Sequence, residues 1–300
     1  MSSSAPTDAA THRPFFGELC ILAGSIAFSL SFVLVPAIYG AGGNQFSVLV
    51  LRNFALALVM AALILRTGKP ILLPRAERNG SLIVGLLFAA QSYCYFTAVH
   101  FIPVSLATLL NFLYPVLVAV AMHWTAGEKL TIVKVGALIT ALVGLALALD
   151  TTAGDLNWFG VLLGFLSGLL STAIAVVSGR VLGQADTQRM TLHMVFATGI
   201  ALLAASQISG AGLVFPSGFV GWSAISAAPL LYMVAVLGYF HAIRLIGPSR
   251  TTMISNVEPV CTLTLAAVVL GEAFSTKQVV GAVLVIGAIV ATQIAARKRG

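Results

Sequence analysis

The chain has 300 residues, of which 59% are hydrophobic and only 8% charged, and its mean hydropathy is +1.03. A soluble domain carries about 25% charged residues, so most of this surface must face lipid rather than water. The formal net charge of +7 comes from basic residues in short segments between apolar runs, which is typical of membrane topology and not of a nucleic-acid-binding face. Cys20, Cys94 and Cys261 all lie inside apolar runs and indicate no disulfide framework.

Ten apolar segments are long enough to span a bilayer, which takes about 20 residues of helix. In chain order they are 17–39, 45–66, 80–100, 103–124, 131–149, 157–179, 188–208, 219–244, 248–270 and 277–296. Residues 1–15 are polar, lack the apolar core of a secretory signal, and are predicted to form a disordered tail. The joining loops are too short for a soluble domain. We therefore predict an all-α integral membrane protein of ten helices.

The distribution of lysine and arginine predicts the orientation. If the amino terminus is cytoplasmic, the cytoplasmic segments hold 14 of the 16 basic residues. A reversed topology would invert this ratio and break the positive-inside rule. We therefore expect a multi-pass protein of the inner (plasma) membrane with both termini in the cytoplasm, including a basic tail at 297–300.

One stretch of the chain occurs twice. Residues 95–128 and 239–272 align without a gap at an offset of 144. The shared positions include Tyr95/Tyr239, Ser105/Ser249, Thr108/Thr252, Pro115/Pro259 and Glu128/Glu272. Each half, 16–150 and 151–296, holds five helices, and this odd number makes the second half enter the bilayer from the opposite side. The sequence thus predicts two inverted repeats, an architecture typical of secondary transporters that work by alternating access.

Several of these residues carry a resemblance to a known family. They are the Pro–Val pairs at 115–116 and 259–260, the Gly–Glu pairs at 127–128 and 271–272, Arg52, and Glu258 before the second proline. From about residue 17 to 296 the chain resembles the drug/metabolite transporter superfamily, in its ten-helix group with two EamA-type repeats. The resemblance implies export of amino acids or other metabolites, and a central cavity between the third, fourth, eighth and ninth helices. It also implies that the Gly–Glu pairs lock turns or gate contacts.

Pro115 and Pro259 each lie within an apolar helix. A mid-helix proline lacks an N–H group and frees the carbonyl four residues earlier, here at Asn111 and Ser255, which then needs another partner in lipid. We interpret the two prolines as symmetry-related hinges beside the cavity. The alternative is a pair of static kinks satisfied by neighbouring helices.

Two charged residues lie at membrane depth. Arg52 is roughly 12 Å below the outer end of its helix and Glu258 roughly 15 Å above the inner end of its own, at 1.5 Å per residue. A charge at this depth costs about 3 kcal/mol or more, so we predict that the two form an ion pair. In the alternatives that remain open, Arg52 binds a substrate carboxylate, and Glu258 carries protons or binds a substrate ammonium group.

Polar and aromatic residues recur at helical spacing on the same four helices. We predict that they line the substrate cavity: Gln91, Tyr95, Asn111, Tyr114, Tyr232, Tyr239, Ser255 and Asn256. Aromatic walls with a few polar groups suit an organic solute better than an inorganic ion. Gly160, Gly164 and Gly168 predict a close helix contact, within the bundle rather than in a dimer.

These patterns together predict a secondary transporter that exports a small organic metabolite, an amino acid or related compound, through a central cavity. The open alternatives are a carrier of drugs or lipophilic cations, of nucleobases or of sugar phosphates, and then a channel or an intramembrane enzyme. Because no metalloprotease motif, phosphate-binding glycine loop or membrane aspartate pair occurs, we expect no catalytic residue, cofactor or metal. The expected partners are the organic solute and membrane lipid, with protons as an open alternative for a coupling ion, no nucleic acid, and a monomer favoured.

Overall fold

The computed structural model describes residues 12–126, 132–148, 156–181, 186–246, 251, 254–255 and 257–297. The helices of the first half are α1 (His12–Val33), α2 (Val35–Gly40), α3 (Gln45–Arg66), α4 (Arg75–Ala98), α5 (Val104–Asn111), α6 (Tyr114–Ala126) and α7 (Ile132–Ala148). Those of the second half are α8 (Trp158–Val181), α9 (Thr187–Ile208), α10 (Gly218–Ile246), α11 (Val257–Leu270) and α12 (Thr276–Arg297). No β-strand occurs among these residues.

The helices supply the ten predicted membrane segments. Seven stretches are long and apolar enough to cross a bilayer: Phe15–Gly40, Gln45–Arg66, Arg75–Ala98, Val104–Trp124, Trp158–Ser178, Gln188–Ile208 and Gly218–Tyr239. Three shorter apolar helices fall in the remaining predicted segments, Val135–Ala148, Val257–Leu270 and Thr276–Ala291. The predicted all-helical membrane fold is confirmed, and α3 has the predicted bounds.

Two predicted helices are each divided into two pieces. The fourth membrane helix, predicted at 103–124, is interrupted between Asn111, where α5 ends, and Tyr114, where α6 begins. Pro115 therefore lies in the first turn of α6. Proline is tolerated there because the first N–H groups of a helix have no intrahelical partner. The first helix is also interrupted, at Leu34, with Pro36 in the first turn of α2. The break at Pro115 is the effect expected from its sequence, whereas the break at Leu34 was not predicted.

The packing of the helices has two-fold symmetry. Helix α1 packs along α10 and α4 packs along α8, and these two pairs interchange when the halves of the chain are exchanged. The same holds for α4 on α9 and α3 on α10, while α3 on α9 and α7 on α12 each pair a helix with its own counterpart. A bundle of two five-helix repeats related by a pseudo-two-fold axis produces this pattern.

Glycine allows the closest of these helix contacts. A Cβ atom added to Gly238 of α10 would lie 2.6 Å from the Cys20 carbonyl oxygen of α1. On α8, a Cβ on Gly168 would lie 2.7 Å from the Leu110 carbonyl oxygen and 3.2 Å from that of Asn111. The Gly160, Gly164 and Gly168 stripe therefore packs inside the bundle, as predicted, against the residues that lead into the break of the fourth helix.

Candidate functional site

The break between α5 and α6 has a side-chain amide at its edge. The Oδ1 atom of Asn111, the last residue of α5, accepts hydrogen bonds from Gln91 Nε2 at 3.1 Å and Ser171 Oγ at 3.0 Å. Ser167 Oγ lies 3.2 Å from the same oxygen but only 2.6 Å from the Gly164 carbonyl oxygen. Because a hydroxyl has one proton, Ser167 donates to the nearer carbonyl, and the Asn111 oxygen joins α4 to α8.

The amide belongs to a longer run of hydrogen bonds. Arg52 Nη2 donates to Ser92 Oγ at 3.2 Å, and Ser92 Oγ donates to Gln91 Oε1 at 3.3 Å. Gln91 then donates to Asn111, which also accepts from Ser171. These five residues form what we call the polar chain, which runs from α3 through α4 to the break and on to α8. The bonds from Arg52 through Ser92 and Gln91 to Asn111 share one donor direction, so they polarise one another in a low-dielectric interior, whereas Ser171 donates to Asn111 from the opposite side.

Arg52 is enclosed by aromatic rings. Its guanidinium carbon lies 4.6 Å from the centre of the Phe96 ring and 4.5 Å from that of the Tyr232 ring. Only 3% of the residue is exposed. Phe96 belongs to α4 and Tyr232 to α10, so the cation is held between the two repeats. Each desolvated cation–π contact of this kind stabilises by about 2 kcal/mol.

The two rings do not satisfy the hydrogen-bonding capacity of this cation. A guanidinium has five N–H donors in one plane, and the structure gives Arg52 one described hydrogen bond, to Ser92. Its Nε atom is buried without a partner. Leaving a buried donor unmade costs about 1–3 kcal/mol, and more for a charged group. Aromatic rings supply no hydrogen-bond acceptor in the guanidinium plane, so part of the donor capacity of Arg52 is unused.

The predicted ion pair between Arg52 and Glu258 is not formed. Lys69 and Asp186 form an ion pair, but among the described residues no ion pair within 4.0 Å joins Arg52 to Glu258. Arg52 is held instead toward α4 and α10 by Ser92 and its two rings, so the prediction of direct contact is wrong for this arrangement of the bundle. Glu258 lies in the first turn of α11, where exposed N–H groups and the helix dipole favour a carboxylate without a cation.

Tyr95 lies near both charges. Both the Glu258 carboxyl group and the Arg52 guanidinium group lie within electrostatic range of its hydroxyl. The same hydroxyl is 2.8 Å from Thr108 Oγ1, a hydrogen bond between α4 and α5, and its ring centre is 4.6 Å from that of Phe32. Tyr95 is therefore buried and joins α4 to α5 just before the break between α5 and α6, rather than forming an open wall of a cavity.

The remaining predicted site residues gather near the start of α6 and α11. Pro115, Tyr114, Tyr239, Ser255 and Glu258 are partly buried, and Pro259 is buried. Tyr239 and Glu258 both lie within electrostatic range of the Tyr114 hydroxyl. The repeat offset places Tyr114 and Glu258 at equivalent positions, each directly before its proline. Asn256 lies outside the described residues.

Sequence reasoning missed the serines of the polar chain. Ser92 and Ser171 supply two of its hydrogen bonds, and neither was among the predicted site residues. A signal existed for Ser167 and Ser171, which are four residues apart and share one face of α8 beside Gly168. Ser92 gave no such signal, because a single small polar residue next to Gln91 is also typical of ordinary helix packing.

Comparison with known proteins agrees with the fold. The family model described as the EamA-like transporter family matches residues 15–149 and again residues 158–293. The chain belongs to the EamA-like transporter family. Both repeats of this EamA-like transporter are thereby matched, and the polar chain draws its residues from the two matched regions.

Relatives of the EamA-like transporter are themselves described as transporters. The chain is 25% identical over 281 residues to the uncharacterized transporter YcbK of Bacillus subtilis, with 88% of each chain covered. It is 26% identical over 277 residues to an uncharacterized transporter of Archaeoglobus fulgidus, covering 90% of this chain and 96% of the relative. A solved crystal structure shares the fold at a TM-score of 0.64 and 20% identity, covering 95% of this chain and 98% of the other.

Another contact between the two repeats of this EamA-like transporter lies at the end of α11. Gly271 adopts φ +67°, and the carboxylate of the next residue, Glu272, reaches the start of α5. There it accepts hydrogen bonds from the Val104 N–H group at 3.0 Å and from the Ser105 hydroxyl. The residue before Val104 is Pro103, which has no side-chain cap to offer. Glu272 thus caps α5 from the opposite repeat; its repeat equivalent, Glu128, lies outside the described residues.

Proposed function

We propose that this protein is a secondary transporter that exports a small organic metabolite, an amino acid or related compound, by alternating access. The observation that carries the proposal is the polar chain from Arg52 to Ser171, which crosses the apolar bundle at the break of the fourth helix. Polar side chains at membrane depth are costly and mark substrate pathways. A break in a helix at that depth is tolerated where protein or a cavity surrounds it.

The same region supplies groups that can recognise an organic solute. Among the described residues, the Asn111 side-chain nitrogen donates no hydrogen bond, and the Gln91 amide next to it is partly buried. Tyr114 and Tyr239 add partly buried aromatic surface nearby. A few polar groups beside aromatic faces are typical of sites for small organic molecules.

Alternating access in this proposal uses the pseudo-symmetry of the bundle. Two repeats with equivalent packing have two arrangements of similar energy, and exchanging them moves the opening from one side of the membrane to the other. Pro115 and Pro259 act as the hinges, because a proline-interrupted helix has fewer backbone hydrogen bonds to break when it bends. The protein lies in the inner membrane with both termini in the cytoplasm, as its basic residues favour.

The proposal is tested by counterflow in proteoliposomes loaded with single amino acids. We expect uptake of at least one radiolabelled amino acid, and a loss of about tenfold or more in the Asn111→Ala and Gln91→Ala variants. Gln207→Ala, an exposed amide near the end of α9, is the matched control and should transport normally. Equal rates in all three variants would show that the polar chain has no part in transport, and counterflow of no organic solute would remove the proposed function.

Proton coupling through Glu258 is a separate part of the proposal. A carboxylate can carry a proton across if it is exposed alternately to the two sides. We expect Glu258→Gln to retain counterflow, which needs no net proton movement, but to lose uphill transport driven by a pH gradient. Uphill transport that survives in Glu258→Gln with its full dependence on the gradient removes Glu258 as the proton carrier.

A further inference from the structure

Arg52 has an unused hydrogen-bonding edge in an otherwise enclosed position. The Phe96 and Tyr232 rings both lie against its guanidinium group, with ring centres 4.6 and 4.5 Å from the guanidinium carbon. Ser92 accepts one of its N–H bonds, and its buried Nε atom has no partner. None of the described acidic residues forms an ion pair with it. The protein therefore encloses the cation with two rings and one hydroxyl but leaves a buried N–H donor that an oxyanion could accept from.

We infer that Arg52 is the subsite for a single carboxylate group of the transported solute. The inference rests on the proposed function and narrows it from organic metabolites to organic monocarboxylates. The planar fork of arginine matches a carboxylate with two parallel N–H···O bonds. Enclosure by two rings excludes water, and the attraction between opposite charges is strongest where water is excluded.

The charge balance favours a carboxylate over a phosphate group. In the part of the chain that the structure describes, the other lysines and arginines within helices lie near helix ends, such as Arg66 at the end of α3 and Arg189 in the first turn of α9. Because Glu258, the acid at similar depth, forms no ion pair with Arg52, this one cation is left to balance one negative charge of a solute. A phosphate monoester carries close to two at neutral pH, so it would enter this position with a charge left over.

The polar chain links this subsite to the break in the fourth helix. Ser92 is shared, because it accepts from Arg52 and donates to Gln91, which in turn bonds to Asn111. A carboxylate bound at Arg52 draws the guanidinium hydrogens toward itself and weakens the bond to Ser92. Binding of the solute at Arg52 thereby changes the hydrogen bonds that reach the break between α5 and α6.

The test compares acids with their amides, which lack the carboxylate charge, and a carboxylate with a phosphate monoester. The probes are L-phenylalanine with L-phenylalaninamide, L-leucine with L-leucinamide, and phenylacetate with phenyl phosphate, each added to the purified full-length protein. Binding is followed by the shift in unfolding temperature with ligand concentration. We expect an acid, and not its amide, to stabilise the wild type, and phenylacetate to bind more tightly than phenyl phosphate.

Variants separate the role of charge from the role of shape. In Arg52→Met we expect the affinity for the acid to fall by a hundredfold or more, and in Arg52→Lys by about tenfold, because lysine keeps the charge but loses the fork. Arg66→Met, an exposed arginine on the same helix, should bind like the wild type. If Arg52→Met does not fold, the acid–amide comparison on wild type and Arg52→Lys decides alone.

The outcomes distinguish this inference from the proposed function. Equal stabilisation by acid and amide, or binding of the acid unchanged in Arg52→Lys and Arg52→Met, overturns the carboxylate subsite. So does a wild type that no carboxylate stabilises. In each of these cases the proposed function survives if amino-acid counterflow still depends on Asn111, and it fails separately if no organic solute is exchanged.

Discussion

At the scale of single residues, the tie between Tyr95 and Thr108 fixes α4 to α5 just before the break. Both residues are buried, Thr108 completely, and their hydroxyls are 2.8 Å apart. Removing one hydroxyl leaves the other buried without a partner, which costs about 1–3 kcal/mol, whereas removing both leaves no unmade bond. The pair therefore contributes specificity of packing as well as stability.

We expect Tyr95→Phe and Thr108→Val each to lower the free energy of unfolding by about 1–2 kcal/mol. The double variant should be less destabilised than the sum of the two, with a coupling of about 1 kcal/mol. The free energy of unfolding of the wild type and the three variants is measured by chemical unfolding in detergent. Strict additivity of the two changes would contradict a direct hydrogen bond.

A second prediction concerns Asp186, which lies outside the membrane spans and caps α9 through the Gln188 N–H group at 3.2 Å. The hydrogen bond from Lys69, 2.6 Å away, lowers the pKa of the Asp186 carboxyl group below its ordinary value. A carboxyl with a lowered folded-state pKa stabilises the protein above its unfolded pKa, and this stability is lost as the pH falls through the folded-state pKa. The pair is partly exposed, 54% for Lys69 and 24% for Asp186, so its effect is small.

The measurement is the unfolding temperature of wild type and Asp186→Asn between about pH 6 and pH 3, which brackets the ordinary aspartate pKa of about 3.9. Asparagine can still cap the helix but has no charge to lose. We expect the wild type to lose more stability than the variant as the pH falls. Parallel curves would mean that the Lys69–Asp186 pair contributes nothing measurable.

At the scale of helices, the approach of α8 to the broken fourth helix depends on Gly168. The backbone carbonyls of Leu110 and Asn111 both face this glycine. We expect Gly168→Ala to destabilise the protein by about 1–3 kcal/mol, since a methyl group 2.7 Å from a backbone oxygen forces the helices apart. It should also weaken the Ser171–Asn111 hydrogen bond, and with it transport.

The control for this change is Gly136→Ala on α7. A Cβ on Gly136 would meet nothing within 4 Å. Alanine favours a helix over glycine by about 1 kcal/mol, so the control should be neutral or stabilising. A comparison of unfolding temperatures suffices, and equal effects of the two substitutions would contradict close packing at Gly168.

The helices also show how far the sequence could predict the structure. Apolar length alone predicted the bounds of α3, and Pro115 predicted an interruption of the fourth helix. The break at Leu34 was missed although Pro36, in the first turn of α2, is the same kind of signal as Pro115 in the first turn of α6. Hydrophobicity determines which segments enter lipid, whereas a proline within a segment indicates where its helix breaks.

For the candidate site, the sequence indicated which polar residues lie at membrane depth, but not how they pair. Gln91 and Asn111 share helix faces with other polar residues in the sequence, and the structure joins them directly. The pairing of Arg52 with Glu258 was inferred from their depth alone and is not formed. Depth indicates that a charge needs stabilisation, but two rings and a hydroxyl can supply part of it, and the sequence contains no distance between helices.

At the scale of the whole molecule, the two repeats are joined at one end of the bundle by Glu272. Its carboxylate bonds to the N–H group of Val104 and the hydroxyl of Ser105, both in buried residues at the start of α5. Hydrogen bonds to a charged group contribute about 1.5–3 kcal/mol. In a transporter with two arrangements of similar energy, this contact favours the one in which this end is closed.

We therefore expect Glu272→Gln to shift the population toward the arrangement that is open at this end. Each 1.4 kcal/mol changes an equilibrium about tenfold, so the loss of one charge-assisted bond should raise accessibility by roughly that factor. The readout is the rate of maleimide labelling of a cysteine in place of Ile102, a buried residue just before α5, after Cys20, Cys94 and Cys261 have been replaced.

A matched control separates this population shift from general loosening. Glu77→Gln removes a carboxylate from the first turn of α4 without touching the contact between the repeats, and should leave labelling unchanged. If Glu272→Gln lowers the unfolding temperature while labelling stays at the wild-type rate, the carboxylate is a static helix cap. If labelling rises and counterflow slows together, the contact favours the closed arrangement, and each transport cycle is slower without it because that arrangement is populated less.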